Sequence, residues 1–316
     1  MNPDKNRLRR TMMFLNCQKP GLIKDPYIYE PDSIILDLED AVAANQKDSA
    51  RYSLYHALKE IDYRGVERVV RINGLDTPYW REDIRVCVAA GADAIRIAKT
   101  ESAADVKAAD SVLAIRIAKT ESAADVKAAE EAVLAAEQEF GRPEGSTLLM
   151  AALESAAGVL NALEICRSSG RLFGIALSGG DFTKDLQTSI TGTGVELAGA
   201  RQLMILAARA AKIQCFDTVY TNLDDMEGFR KDVETIHMMG FDGKSIINPK
   251  QIAIVNEIFT PSEKEIIYAQ KLIRAIDEQK EQGIGVFTVD GKMVDIAFYD
   301  GAVRTLNLAR AAGVPV

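Results

Sequence analysis

The sequence predicts a (β/α)8 barrel, or TIM barrel, followed by a C-terminal extension. Along the first 255 residues, eight short β-rich runs alternate with longer helical patterns. Such alternation is typical of parallel strands joined by helical crossovers, and eight βα units in about 250 residues are typical of a TIM barrel. A doubly wound open sheet is the alternative. The first βα turn lacks GxGxxG, which weakens a dinucleotide-binding version of that sheet.

The predicted strands are short apolar runs, and amphipathic helical patterns such as 50–61 and 194–211 separate most of them. In chain order they cover residues 10–16, 33–39, 68–73, 93–99, 147–154, 173–179, 215–221 and 244–248. The apolar runs are short enough for strands and the intervening patterns long enough for helices. Each pair therefore makes one βα unit of the predicted barrel.

The composition changes near the end of the barrel segment. We predict residues 1–255 as the barrel domain and residues 256–316 as an appended lid or oligomerisation element. A long helical pattern begins there, with Thr260 as its expected N-cap and a proline at the first helical position. A hairpin with an Asp-Gly turn is predicted at 285–295, and a final helix follows it.

One segment of the chain is duplicated. AIRIAKTESAADVKAA occurs without change at 94–109 and at 114–129, which indicates a tandem duplication of 20 residues. A ninth strand would break barrel closure, so one copy should supply the strand and the other a lengthened helix or an insert. Gly91 is a natural helix stop directly before the first copy, which favours that copy as the strand. An artefact in the sequence is the alternative explanation.

The composition argues against several classes of partner. A net charge of −8 without a long basic run argues against nucleic acid and anionic membranes. No apolar stretch approaches the ~20 residues that span a bilayer, and the start of the chain lacks a signal-peptide core. Four scattered cysteines without a CxxC pair indicate reduced thiols in a cytoplasmic protein.

Charged side chains recur at the predicted carboxyl ends of the strands, where a TIM barrel places its active site. They are Glu39 and Asp40 after the second strand, Arg71 in the third, Lys99 in the fourth, Glu154 in the fifth, Asp181 after the sixth and Asp217 in the seventh. Carboxylates packed this closely repel one another unless a cation lies between them. Mg²⁺ suits such a site because it takes one or two carboxylates together with waters and substrate oxygens.

The residue types suggest a role for each position. Glu154 and Asp181 come from neighbouring strand ends and are the best candidates for Mg²⁺ ligands. Glu39 and Asp40 would hydrogen-bond metal-bound water. Arg71 would clamp a substrate carboxylate through two parallel N–H donors. The pattern therefore predicts metal-assisted chemistry on an anionic substrate.

Each of these side chains also has a simpler interpretation. A single acid at a strand end is commonly the N-cap of the following helix. Arg71 could form an interior ion pair with Glu39 or Asp40, Lys99 could be solvated and inert, and Asp217 could hold a loop.

At these residues the sequence resembles the citrate lyase β-subunit family, within the wider malyl- and citramalyl-CoA lyase (HpcH/HpaI aldolase-like) group. The matching stretches run in order along nearly the whole chain. They are LRRTMMF, DSIILDLEDAV, KDSAR, VVRINGLDTP, ADAIRIAKTES, GRPEGSTLLMAALES, FGIALSGGDF, FDTVYTN, GFDGKSIINPKQI and VDGKMVD.

The resemblance implies a Mg²⁺-dependent lyase that splits a citryl thioester, on CoA or an acyl carrier protein, into an acetyl thioester and oxaloacetate. It implies a TIM barrel that forms a homo-oligomer, a trimer or hexamer, with citrate lyase α and γ subunits as further partners. Matched by motif, Glu154 and Asp181 are the metal ligands and Arg71 binds a substrate carboxylate. Asp295 matches a lid aspartate for proton transfer, in its own or a neighbouring subunit's site, and Lys99 lies where the thioester carrier approaches.

The sequence departs from the family pattern at three places. Leu15-Asn16-Cys17 replaces a VPG after the first strand, Ala98 replaces a proline, and Gly179-Gly180 precedes Asp181. The duplication follows Lys99 directly and could put Lys119 in its place. Two alternatives stay open: a free-standing malyl-, methylmalyl- or citramalyl-CoA lyase, and a non-catalytic scaffold subunit.

Overall fold

The computed structural model describes residues 4–98, 122–281 and 284–316. Eight parallel strands close into one barrel in chain order, which confirms the predicted (β/α)8 fold. The strands are β1 Thr11–Asn16, β2 Ser33–Asp37, β3 Glu67–Arg71, β4 Ala94–Ile97, β5 Leu148–Leu153, β6 Leu172–Leu177, β7 Gln214–Asp217 and β8 Gly243–Ile246. Strand β8 pairs with β1 and thereby completes the barrel.

Helices follow the barrel strands as the crossover connections require. In the described part of the chain they are α1 Pro20–Ile23, α2 Lys47–Glu60, α3 Trp80–Ala90, α4 Ala123–Glu139, α5 Ala156–Leu160, α6 Ala162–Cys166, α7 Gly179–Asp185, α8 Ala198–Ala211, α9 Met226–Met239, α10 Lys250–Phe259, α11 Glu263–Glu281 and α12 Phe298–Ala311. None of the helices in these ranges is both long and apolar enough to cross a lipid bilayer.

The barrel interior is filled by apolar side chains from almost every strand. Because strand side chains alternate between two faces, every second residue points inward. The buried cluster consists of Met12, Ile35, Val69, Ala94, Leu148, Met150, Phe173, Ala176 and Phe216, with the half-buried Phe14 packed against it. On β2, β3 and β4 this packing shows which residues face the interior, and therefore which charged residues can reach the site.

The two copies of the duplicated segment contribute to different secondary-structure elements. The first copy forms strand β4, which pairs with β3 and β5, so the prediction from Gly91 is confirmed. The second copy supplies the start of α4, where Ser122 and Asp125 form a reciprocal capping box. The chain thus takes its strand from one copy and its helix start from the other. The remainder of both copies between these elements lies outside the described residues.

Gly243 is required where β8 closes against β1. A Cβ at this position would overlap the carbonyl oxygen of Arg9 and stand 2.8 Å from that of Arg10. We expect Gly243→Ala to lower the free energy of unfolding by about 2–3 kcal/mol, because a backbone strand must move to admit the methyl group. Urea denaturation measures the effect. Gly199→Ala, in α8 with open space around it, is the control and should stabilise by about 0.5–1 kcal/mol.

The chain divides into two compact units, Met1–Val255 and Asn256–Val316. The second unit has a core of its own between α11, α12 and the antiparallel hairpin of β9 Val286–Val289 and β10 Lys292–Asp295. Its assignment as a lid or oligomerisation element stays a prediction.

The expected cap of α11 is wrong by two residues. Ser262, not Thr260, caps this helix: its backbone N–H donates to Glu265 Oε2 at 2.8 Å, and its hydroxyl accepts from the Glu265 backbone N–H. The Thr260 N–H still donates to the carbonyl of Asn256 at 3.1 Å. Thr260 therefore closes the preceding helix, and Ser262 makes the capping bonds of the next one.

Candidate active site

Three charged residues lie side by side on neighbouring strands. Asp37 on β2 is paired in register with Arg71 on β3, and Arg71 with Arg96 on β4. Each lies two residues after a side chain of the interior cluster, so all three face the barrel interior. Asp37 and Arg71 are the last residues of their strands, which places this row at the carboxyl end of the barrel.

Arg71 is held by an acid that the sequence-based site omitted. Its Nε and Nη2 atoms donate to the two carboxylate oxygens of Asp37 at 2.8 and 2.6 Å. Its Nη1 atom lies 2.9 Å from Glu39 Oε2 and 3.8 Å from Asp40 Oδ2. The structure thus contains the interior ion pair with Glu39 that was one interpretation of Arg71. Asp37 lies two residues after Ile35 on β2, so the two side chains share one face of the strand. This spacing was the signal that could have identified Asp37 as a site residue.

These contacts fix the charges of the pair. Burial alone would raise the pKa of Asp37, but the hydrogen bonds and charge of Arg71 bring that pKa below its usual value. Burial alone would lower the pKa of Arg71, but its bonds to Asp37 and the neighbouring Glu39 raise that pKa above its usual value. Both groups are therefore ionised at neutral pH, as a carboxylate bound to a guanidinium fork should be.

Glu154 is buried without a hydrogen-bond partner for either carboxylate oxygen among the described residues. Burial raises its pKa to about 8, and the negative charges of Glu39 and Asp181 add to that rise. The helix-cap interpretation fails here, because Ser155 is the residue that caps α5, accepting from the Gly158 N–H at 3.0 Å. A buried carboxylate without donors is costly, so Glu154 is poised for a cation.

Asp181 lies in the first turn of α7, after the end of β6, and is half-buried. Its charge contributes to the raised pKa of Glu154, as expected for carboxylates that follow the ends of two neighbouring strands. In the described part of the chain, no group of three or more His, Cys, Asp or Glu side chains is placed to hold a metal. A carboxylate pair with unpartnered oxygens fits Mg²⁺, which completes its shell with waters and substrate oxygens.

Arg96 is the second site residue that sequence reasoning missed. It is buried, and its Nε and Nη1 atoms have no hydrogen-bond partner among the described residues. The Phe14 ring lies near both guanidinium groups, with its centroid 5.0 Å from Arg71 Cζ and 5.1 Å from Arg96 Cζ. Burial, and then the charge of Arg71, lower the pKa of Arg96 to about 10. The available signal was a cation inside the apolar run AIRIA.

Asp217 does not join this group, so its expected place at the barrel mouth is wrong. On β7 it is Phe216 that faces the interior, and Asp217 therefore points outward. There it accepts from Arg201 Nε and Nη2, both at 2.9 Å, and from Lys244 Nζ at 2.6 Å. Asp232 binds the same two cations at 2.8 and 2.7 Å. Asp217 is the centre of a buried structural ion-pair network.

Asp217→Ala should therefore destabilise the barrel without altering substrate binding. It leaves the buried cations Arg201 and Lys244 with Asp232 as their remaining partner in the network, and we expect a loss of about 3–5 kcal/mol in the free energy of unfolding. Urea denaturation measures the loss, and KM of the folded protein should be unchanged. Asp224→Ala, an exposed acid nearby, is the matched control and should change stability by less than about 0.5 kcal/mol.

Two further predicted site residues are Lys99 and Asp295. Lys99 lies outside the described residues. Asp295 ends β10 in the second compact unit, where its Oδ1 accepts from the Ala297 N–H at 2.8 Å. Their roles stay predictions.

Comparison with known sequences places the chain among relatives of its own length. The family model described as HpcH/HpaI aldolase/citrate lyase matches residues 10–115 and 111–249. The citrate lyase subunit beta of Leuconostoc mesenteroides is 48% identical, across 98% of this chain and 95% of that protein. A (3S)-malyl-CoA thioesterase of Cereibacter sphaeroides is 34% identical, across 96% of this chain and 95% of that protein.

Solved structures give the same fold. The protein CitE of Mycobacterium tuberculosis, in complex with magnesium, acetoacetate and coenzyme A, superposes with a TM-score of 0.72 at 24% identity, across 97% of this chain and all of that one. The same protein with magnesium and acetoacetate gives a TM-score of 0.62 at 25% identity, across 83% of this chain and 94% of that one.

Proposed function

The chain belongs to the HpcH/HpaI aldolase/citrate lyase family, and on that premise we propose that it is a Mg²⁺-dependent carbon–carbon lyase. Its substrate is a citryl thioester, which it cleaves to an acetyl thioester and oxaloacetate. The observation that carries the substrate is the 48% identity to a citrate lyase subunit beta over nearly the full length of both chains. The metal is supported by the magnesium in the CitE complex at 25% identity and by the unpartnered, buried Glu154.

Glu154 and Asp181 are the proposed metal ligands. Glu154 offers two oxygens that no described residue satisfies, and Asp181 supplies a second carboxylate with access to solvent. When bound there, Mg²⁺ supplies a Lewis acid for the oxygens of the substrate hydroxyl and of the keto acid that it becomes.

Cleavage needs a base and a way to hold the substrate. The tertiary hydroxyl loses its proton, and its carbon becomes the keto carbon of oxaloacetate. The electron pair of the broken C–C bond passes to the thioester as an enolate, which takes up a proton to give the acetyl thioester. Carboxylates at hydrogen-bond reach can move these protons. Glu39 and Asp40 are proposed at the hydroxyl, and Asp295 at the enolate.

Arg71 is the proposed anchor for the carboxylate beside the reacting carbon. Its bidentate bond to Asp37 holds the guanidinium plane in one orientation, so its remaining N–H donors have a fixed direction. A substrate held in a fixed orientation reacts faster because less entropy is lost on the way to the transition state.

We extend the proposal to the partners. The thioester carrier is CoA or an acyl carrier protein, with Lys99 near its path. The citrate lyase subunit beta relatives support α and γ subunits as partners, and the chain is proposed to act in the cytoplasm as a homo-oligomer, a trimer or hexamer. Light scattering on the purified protein tests the oligomer.

A direct cleavage assay tests the function. The purified chain is incubated with citryl-CoA and Mg²⁺, and oxaloacetate is measured. We expect release that stops with EDTA and with Asp181→Ala. If folded protein that binds Mg²⁺ releases no oxaloacetate from citryl-CoA, the assay is repeated with a citryl-loaded acyl carrier protein. Oxaloacetate release from that substrate would identify the carrier. No release from either substrate would overturn the lyase proposal in favour of the scaffold alternative.

The second candidate is a free-standing lyase for malyl-, methylmalyl- or citramalyl-CoA. The 34% identity to a (3S)-malyl-CoA thioesterase favours it. Malyl-CoA and citramalyl-CoA run in parallel in the same assay decide between the two. Turnover of these alone would keep the metal and the anchoring arginine but change the substrate.

A further inference from the structure

Arg96 is a buried cation in an unusual position. It is 2% exposed, and neither Nε nor Nη1 has a hydrogen-bond partner in residues 4–98, 122–281 and 284–316. The negative charges of Glu154, Asp37 and Glu39 favour the charged form of Arg96, but none of these acids forms a salt bridge with it within these ranges. Arg71 lies next to it in register on β3. A guanidinium buried in this way loses its hydration and repels its neighbour, which is costly unless an anion joins it.

The neighbouring arginine shows what is missing. Arg71 has both oxygens of Asp37 on its Nε and Nη2 atoms and Glu39 beside Nη1. Its charge is balanced by the protein itself. Arg96 sits at the same level of the barrel, and the Phe14 ring lies near both guanidinium groups. Arg71 can offer a ligand only the N–H donors that these acids leave over, whereas Nε and Nη1 of Arg96 both have no partner among the described residues.

We propose that Arg96 binds a second carboxylate of the substrate and selects for dicarboxylic acyl groups. Guanidinium N–H donors match a carboxylate in a planar, two-bond geometry, so the complementary ligand is a carboxylate. The inference rests on the proposed lyase function and specifies its substrate class.

The candidate substrates differ in this group. A citryl thioester carries two free carboxylates, and its keto-acid product, oxaloacetate, keeps both. Malyl and citramalyl thioesters carry one, and their products are glyoxylate and pyruvate. With Arg71 on the carboxylate next to the reacting carbon, the carboxymethyl group of the citryl chain is the part left for Arg96. A citramalyl chain has a methyl group there and would leave the buried arginine unpaired, which is how polar sites reject analogues.

Product binding tests the inference without relying on turnover. Oxaloacetate and pyruvate differ only by the carboxylate in question. Their dissociation constants are measured by calorimetry with the full chain and Mg²⁺, for wild type, Arg96→Met and Arg96→Lys. We expect wild type to bind oxaloacetate more tightly than pyruvate. Arg96→Met should weaken the binding of oxaloacetate about 10- to 100-fold and leave the binding of pyruvate unchanged. Arg96→Lys should keep part of the preference, since the charge remains but the fork is lost.

The alternative is that Arg96 only packs against Phe14. In that case Arg96→Met would weaken the binding of both keto acids equally or of neither, and either result overturns the inference. Arg96→Met removes an unpaired buried charge and should melt no lower than wild type; if it does not fold, Arg96→Lys decides by the same comparison. Arg167→Met, an exposed arginine, is the control. If wild type cleaves citryl-CoA and Arg96→Met still prefers oxaloacetate over pyruvate, only this inference is overturned. If wild type neither cleaves citryl-CoA nor binds oxaloacetate, the proposed lyase function is overturned as well.

Discussion

Glu154→Gln is expected to abolish Mg²⁺ binding and to lower turnover by about 10³-fold, equivalent to about 4 kcal/mol of transition-state stabilisation. The substitution keeps the shape of the side chain and removes the charge that would hold the metal. Calorimetric titration with Mg²⁺ and the oxaloacetate assay measure the two effects. Glu144→Gln is the matched control, because this glutamate is exposed and should change neither property.

The same variant should be at least as stable as wild type when no metal is present. The folded pKa of Glu154 is about 8, against an ordinary value of 4.5, so the folded protein retains a proton that the unfolded chain has lost between these pH values. The stability from this group is fully present below about pH 4.5. It is lost as pH rises towards 8, by about 5 kcal/mol in all. The amide that replaces the carboxyl group cannot titrate, so the stability of the variant relative to wild type should rise across this window.

Mg²⁺ competes with that proton, which gives a second test. Below pH 8 the metal must displace it, and the apparent affinity should rise about tenfold per pH unit. Melting curves with and without Mg²⁺ should therefore show a larger stabilisation at pH 8.5 than at pH 6.5, and none in the variant. Tight, pH-independent Mg²⁺ binding by Glu154→Gln would contradict the assignment of this residue as a ligand.

The fold could be predicted from the sequence because its strongest signals are local. All eight strands were found where apolar runs alternate with amphipathic helices, and Gly91 pointed to the correct copy of the duplicated segment. The α11 cap shows the limit of such signals. Thr260 and Ser262 are both good N-cap residues, and the hydrogen bonds between Ser262 and Glu265 decide between them.

The site was harder to predict because barrel strands are buried on both faces. An apolar pattern then does not show which residues point inward. Asp217 was expected at the mouth but faces outward because Phe216 takes the interior position. Asp37 and Arg96 were missed for the same reason. Their positions follow from the register of β2, β3 and β4, which is a tertiary property. Residues just beyond a strand end, such as Glu154, are easier to place at the carboxyl end of the barrel because that placement does not depend on this alternation.

Arg71→Met is expected to abolish turnover and also to destabilise the fold by about 3–5 kcal/mol. It leaves Asp37 as a buried carboxylate whose remaining hydrogen bonds come from the backbone N–H groups of Glu39 and Ala41. The double variant Asp37→Asn/Arg71→Met removes this charge but not that of the buried Glu39, which also loses its ion pair with Arg71, and it should recover part of the stability. It should remain inactive, because the substrate carboxylate still lacks its anchor. Urea denaturation and the oxaloacetate assay on all three proteins separate the two roles, with Arg167→Met as the control. If the double variant regained both stability and turnover, Arg71 would serve only to neutralise Asp37, and the substrate carboxylate would need another partner.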